Sequence, residues 1–179
     1  MTLKKAPFSQ LSRKTAFSCH FYKIQHDRYV LPNGEEGNYF IVDTEGSAMV
    51  IPQTADGKFV MVKQFRYIQQ SWELEFPCGG LNAGEEPGQA ALREGKEEAG
   101  LLGGKLSLIG EFLPFNGISN EVCHVFHIDD VELGENQLEV DEDLTVELYT
   151  RAEIDTLIAA GSIRDGMTLA AWQLFSTRR

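Results

Sequence analysis

Residues 79–101 read GGLNAGEEPGQAALREGKEEAGL, and the placement of their glycines and charges decides how the rest of the chain is understood. Two glycine-rich turns, Gly79-Gly80 and Asn82-Ala83-Gly84, lead to Pro87, a residue suited to a first helical turn, and Gly100 is suited to a helix end. A helix is therefore predicted over Gly88–Ala99. At 3.6 residues per turn, Glu94, Glu97 and Glu98 stand at i, i+3 and i+4 and share one face. Three like charges held together destabilise a helix unless something positive lies among them. A hard divalent cation with oxygen ligands is a natural partner, and Mg²⁺ binds substrate phosphates alongside a few carboxylates. Taken alone, an E-x-x-E-E pattern is more often a solvated acidic face.

The wider spacing reverses that reading. The segment resembles the Nudix box: Gly, five residues, Glu, seven residues, Arg-Glu, an apolar residue, any residue, Glu-Glu, any residue, Gly and an apolar residue. Gly79, Glu85, Arg93, Glu94, Glu97, Glu98 and Gly100 match every fixed polar or glycine position. One position departs: Gly95 stands where the family has an apolar residue, at a cost of about 1 kcal/mol relative to alanine and with a packing position left empty. The resemblance implies an α/β fold, an α-β-α sandwich around a mixed central sheet, preceded by a small N-terminal antiparallel β extension. The extension is expected over 1–45 as a dimerisation element, and the Nudix domain over 46–179. It also implies a Mg²⁺ site, with Mn²⁺ as a possible substitute. Its ligands would be Glu94, Glu98, Glu97, directly or through metal-bound water, and the backbone carbonyl of Cys78. Arg93 would orient the glutamates, and Glu85 would tie the loop to the helix.

Outward from the box, FSCHFYKIQHDRYVL (17–31) and Asn38–Val42 flank Pro32-Asn33-Gly34 as an N-terminal hairpin. Ala48–Pro52 and Lys58–Phe65 flank Ala55-Asp56-Gly57 as a second one, with apolar residues on both faces as a buried sheet requires. Further strands are expected at Leu106–Phe112, Val122–Ile128 and Thr145–Tyr149, and helices at Ala152–Ala160 and Met167–Phe175. Strands with interspersed helices suggest a mixed sheet covered on both faces.

The box specifies hydrolysis of a diphosphate linked to another group. The flanking pieces DRYVLPNGEEGNYFIV, GSAMVIPQTADGKFVMVKQFRY and WELEFPCGG resemble the ADP-ribose pyrophosphatase and nucleoside-diphosphate-sugar hydrolase branch. In that branch Arg66 occupies the substrate-binding arginine position, suited to bidentate contact with phosphate. Glu73 and Glu75 alternate with Trp72, Leu74 and Phe76, so their carboxylates can face the cleft or stay solvated at a strand edge. Arg28, with Tyr29, is a candidate contact to the base if N-terminal strands exchange across a homodimer. Glu121, in PFNGISNE (114–121), can serve the metal or substrate site or be structural. The general base of the branch comes from an acidic loop matched here by LEVDEDL (138–144), with Glu142 the first choice and Glu139 the second; a solvated acidic loop would look the same. Cys123-His124-Val125-Phe126-His127 lacks the four well-placed ligands of a structural zinc site.

The implied reaction is Mg²⁺-dependent cleavage of ADP-ribose or a related nucleotide sugar to a nucleoside monophosphate and a sugar phosphate. GDP-mannose or another nucleoside diphosphate derivative is the alternative substrate, and a non-catalytic nucleotide-sugar sensor the alternative function. Composition agrees. The 179 residues carry 16 Lys and Arg against 27 Asp and Glu, a net charge of −11 that disfavours nucleic-acid binding. Residues 73–98 account for −5 and residues 129–143 for −8, which leaves +2 for the remainder, so the acidity is local to the box and the candidate base loop. No apolar run approaches the ~20 residues of a membrane span. Three cysteines without C-x-x-C spacing suggest reduced thiols in a cytoplasmic protein.

Overall fold

The computed structural model describes residues 7–136 and 143–178. They divide into two compact units: residues up to 45 together with 115–121, and residues 46–114 together with 122 onward.

The first unit is an antiparallel three-stranded sheet, β1 (Ser9–Ser18), β2 (Lys23–Val30) and β3 (Glu36–Asp43), in the order β1-β2-β3. The expected hairpin is β2–β3, closed at Gly34 with φ 88°. The stretch 17–31 is broken at 19–22, and its first residues end a strand, β1, that begins at Ser9. β1 escapes sequence reading because it is exposed on nearly every residue and lacks an apolar alternation. One sheet face is polar and tightly bonded. Arg13 meets Asp27 through two 2.7 Å bonds, and Gln25 donates to Asp43 at 2.9 Å. The loop 115–121 joins this unit through the Val42 N–H to the Ile118 carbonyl at 2.7 Å.

The second unit is a seven-stranded mixed sheet with helices on both faces. β4 (Ser47–Thr54), β5 (Phe59–Arg66), β8 (Leu101–Phe112), β9 (Cys123–Leu133) and β10 (Leu144–Tyr149) run in the order β10-β5-β4-β9-β8, with only β4–β9 parallel. Alternation in β4 and β5 supplies two cores. Ala48, Val50, Val60 and Val62 pack with Ala90, Ala91 and Ala99 of α1 (Pro87–Ala99). Met49, Ile51, Phe59 and Met61 pack with Ile154 of α2 (Arg151–Ala159) and with Ala171 and Trp172 of α3 (Gly166–Ser176). Strands β8 and β9 are longer than their apolar patterns suggest, because their outer halves pair while exposed.

A split in this sheet positions the functional segment. β4 and β5 pair only at Gln53 and Phe59, then diverge. The chain from 71 to 80 enters the gap, first as β6 (Ser71–Glu75) paired with β5, then as β7 (Cys78–Gly80) paired with β4. Pro77, which has no N–H to donate, stands at the crossover, and its carbonyl accepts the Val50 N–H at 3.0 Å. The start of α3 secures the same segment: the buried Thr168 hydroxyl accepts the Phe76 N–H at 3.2 Å, and Asp165 caps the helix by accepting the Thr168 N–H at 2.7 Å.

Arg164, just before that cap, donates to both carboxylate oxygens of Glu73 and, at 3.0 Å, to the Ser71 hydroxyl. Hydrogen bonds to Glu73, from Arg164 first and the Ser71 hydroxyl second, lower its pKa from the ordinary 4.5 to about 2. Between those values the unfolded chain holds a proton that the folded chain does not. Stability from this group is therefore complete above pH 4.5 and is lost as pH falls through about 2. Urea unfolding of Glu73→Gln is expected to show a lower stability than wild type at pH 7 and a shallower decline between pH 4.5 and 2.5; parallel pH dependences would refute the linkage.

Candidate active site

The loop after β7 and the first turns of α1 are held together by one guanidinium. Arg93 donates from Nε and Nη2 to Glu85 at 2.9 and 3.0 Å, from Nη2 to the Gly80 carbonyl at 3.0 Å, and from Nη1 to Glu94 at 2.6 Å and Glu97 at 3.1 Å. Five hydrogen bonds match the five N–H groups of the side chain. Glu85 also accepts the Asn82 N–H at 2.9 Å, which closes the turn 82–85. Arg93 first, then Asn82, holds the Glu85 pKa at about 2, and the carboxylates raise that of Arg93. Pro87 begins the helix and Gly100, at φ 62°, ends it.

Glu94 and Glu98 are buried, at 9% and 5% exposure, while Glu97 is more open on the same face. The Glu94 carboxylate lies directly on the α-carbon of Gly79: a Cβ there would stand 2.0 Å from Oε1. Glu98 accepts the Cys78 N–H at 3.1 Å, so the strand preceding the loop and the helix face are bonded at one point. Among the described residues no three His, Cys, Asp or Glu side chains form a ready-made cluster for a metal, and Arg93 bridges Glu94 and Glu97. The Cys78 thiol is hydrogen-bonded with Cys123 and desolvated, and both effects push its pKa well up, as expected of a packing group.

The departure at Gly95 does not leave a void. A Cβ there would be 2.7 Å from Leu101 Cδ1 and 3.3 Å from Val50 Cγ1, so Leu101, the first residue of β8, occupies the volume. Lys96 is exposed, as expected.

Register places the β6 carboxylates. Glu75 pairs with Val62, whose side chain is in the α1-side core, and Glu73 pairs with Gln64, whereas Leu74 and Phe76 pack in the core on the other side. Ser71, Glu73, Glu75, Gln64 and Arg66 thus share the α1 face. Arg66 is bound to Glu75 at 2.8 Å through Nε and 2.5 Å through Nη2. The Glu75 hydrogen bonds raise its pKa most, and Glu98 and Asp165 add to that from a distance. The structure therefore brings Arg66 and the α1 carboxylates to one face and places Glu73 there under Arg164. Sequence reading gave Arg164 no part: a lone arginine in GSIRDGM (161–167) carries no motif, and only the Asp165 cap that fixes its position could have drawn attention to it.

The remaining candidates lie elsewhere in the chain. Arg28 is exposed on β2 and paired with Glu36, and Tyr29 stacks edge-on with Phe8 at 5.4 Å between ring centres. The Glu121 N–H donates to the Ser119 hydroxyl at 3.0 Å. Both belong to the first unit. Glu139 and Glu142 lie outside the described residues. Of the same loop, Asp143 is exposed, and its carbonyl accepts the Phe65 N–H at 3.2 Å.

Comparison with known proteins bears on the family and the fold. The NUDIX domain profile matches residues 43–169. An ADP-ribose pyrophosphatase of Bacillus subtilis is 33% identical over 96% of this chain and 94% of its own length. A methanol dehydrogenase activator of Bacillus methanolicus is 34% identical over 88% and 86%, respectively. A solved ADP compounds hydrolase, 18% identical, shares the fold with a TM-score of 0.84 over 98% of this chain and 95% of that one. With the box glutamates gathered on α1 and this match over most of its length, the chain belongs to the Nudix family.

Proposed function

We propose that this protein hydrolyses the diphosphate linkage of ADP-ribose or a related nucleoside diphosphate sugar, releasing a nucleoside monophosphate and a sugar phosphate. The observation that carries the reading is the buried Glu94 and Glu98 pair, set beside Gly79 and on the same face as Arg66, in a chain that resembles an ADP-ribose pyrophosphatase along nearly its whole length. An ADP-sugar pyrophosphatase of Mus musculus, 42% identical over 37% of this chain, supports the same substrate class.

The donor set fits a hard divalent cation, Mg²⁺ or Mn²⁺. It consists of carboxylate oxygens on one helix face, two of them in side chains largely removed from water, and such hard oxygen donors suit a hard divalent ion. Glu94, Glu98 and Glu97, with the Cys78 carbonyl, are the groups that would hold it. Such an ion offsets phosphate charge and lowers the pKa of a bound water. Arg93 keeps Glu94 and Glu97 oriented. Arg66, fixed in rotamer by Glu75, presents its guanidinium to a phosphate. Glu142, with Glu139 as the second choice, accepts the proton of the attacking water; the net charge of −8 over 129–143 concentrates bases near neutral pH there. Glu73 serves the substrate side of this face through the arginine it binds, and Arg28 and Glu121 complete the proposed substrate contacts, Arg28 from a second copy of the chain in a homodimer that exchanges N-terminal strands. The exposed aromatic side chains Phe8, Phe17 and Phe40 suit that sheet to such a partner. No helix among the described residues is long and apolar enough to cross a membrane, and a cytoplasmic site of action is proposed from the reduced cysteines.

Incubation with ADP-ribose, ADP-glucose and GDP-mannose, with Mg²⁺ or Mn²⁺, is expected to release AMP and ribose 5-phosphate fastest from ADP-ribose; absence of metal-dependent phosphate-bond cleavage in the whole panel would overturn the proposal. Glu94→Gln and Glu98→Gln should each lower kcat by about two to three orders of magnitude, a range typical of lost electrostatic stabilisation, with a Tm within a few degrees of wild type. Gly79→Ala should act through Glu94. The added methyl displaces a flexible carboxylate rather than backbone, so loss of activity should far exceed loss of stability, and wild-type turnover in this variant would contradict the placement of Glu94.

A further inference from the structure

Two arginine–glutamate pairs stand side by side on the α1 side of β5 and β6. Arg66 holds Glu75, and Arg164 holds Glu73. The carboxylates are buried, with 6% and 8% of their side-chain surface exposed, while the guanidinium-bearing side chains keep 42% and 60%. In each pair Nε and Nη2 are engaged, and Nη1 makes no hydrogen bond to a described residue. A purely structural pair would need only one end of this arrangement. Here each acid is spent on fixing the plane of an arginine whose opposite edge points outward. Glu73 and Glu75 are two residues apart on one strand, a step of about 6.5 Å. Glu75 is the one nearer to β7 and Cys78, which is bonded to Glu98.

Arg164 reaches this face from the α2–α3 turn, and its position is not left to chance. Asp165 caps α3, Thr168 fastens that helix to Phe76, and Ser71 takes a fourth bond from the Arg164 guanidinium. An arginine so constrained loses little further rotamer freedom on meeting a ligand, which is what preorganised binding requires. The two phosphorus atoms of a diphosphate are only about 3 Å apart, so a diphosphate held by Arg66 and by a cation on the α1 carboxylates would not extend a full strand step further. What lies at Arg164 is the group attached beyond it, with sugar hydroxyls or a further anionic substituent to accept from Nη1.

We infer that Arg164 is a second arginine of the substrate cleft, a specificity-determining residue that contacts the sugar-bearing group beyond the phosphate held by Arg66, with Glu73 as its positioning residue. This rests on the nucleoside diphosphate sugar reading above.

Removing Arg164 alone would strand the buried Glu73 carboxylate, so the informative variant is the double replacement Arg164→Gln with Glu73→Gln, which keeps a neutral hydrogen-bonded pair. Its KM for ADP-ribose should rise about tenfold, the scale of one charge-assisted hydrogen bond, with kcat within about twofold. Arg164→Lys, which keeps the charge without the planar fork, should fall between it and wild type. Product inhibition identifies the half that is contacted: the inhibition constant of either AMP or ribose 5-phosphate should weaken by a similar factor, and the other should not. A wild-type KM with both inhibition constants unchanged would overturn the inference, as would a lowered Tm as the sole effect. If wild-type protein turned over no nucleotide sugar, the function itself would have failed; calorimetric binding of ADP-ribose without added metal to the same variants would still test Arg164, and equal affinities would refute it.

Discussion

Arg93 is the centre on which the site depends. Its five donors satisfy Glu85, the Gly80 carbonyl, Glu94 and Glu97, so one side chain decides the path of the loop, the start of α1 and the orientation of two acids on its face. Without it, three carboxylates within five consecutive residues would repel one another. With it, the helix tolerates them while Glu94 and Glu98 stay buried. The rest of the second unit serves to present this knot: β4 and β5 separate, β6 and β7 enter between them, and Cys78 meets Glu98 where the inserted chain passes beneath the helix.

Much of this was legible in residues 79–101 because both of its signals are local. Helix start, helix stop and side-chain spacing depend on a few neighbouring residues, and the observed α1 differs from the expected helix only by the inclusion of Pro87. The presence of the main strands was likewise readable from apolar and β-forming runs. Their lengths were not: the outer half of β8, and β1 throughout, are exposed and ordered by pairing rather than burial. The β4–β5 split was invisible as well, since it is a property of where a third segment inserts.

The charged residues divide in the same way. Glu94, Glu97 and Glu98 could be placed on one helix face from spacing alone, whereas Glu73 and Glu75 could be placed on a common face but not given partners. Those partners, Arg66 nine residues before Glu75 and Arg164 ninety-one residues after Glu73, are set by tertiary structure. No periodicity links such positions. Local chemistry is therefore read more readily than the ion pairs that tune it.

The volume above Gly95 illustrates a different kind of coupling. A glycine in mid-helix was expected to leave space, yet Leu101 fills it after the chain has turned at Gly100. One cavity is thus shared between two sequence positions six apart, and neither can be chosen independently. A chain with a bulky residue at 95 must carry a smaller or differently directed one at 101, so a change at either site alone is a packing error, while the two made together can restore the core. The exception to the family pattern is in this sense a redistribution of the same apolar bulk from α1 to the strand that follows it.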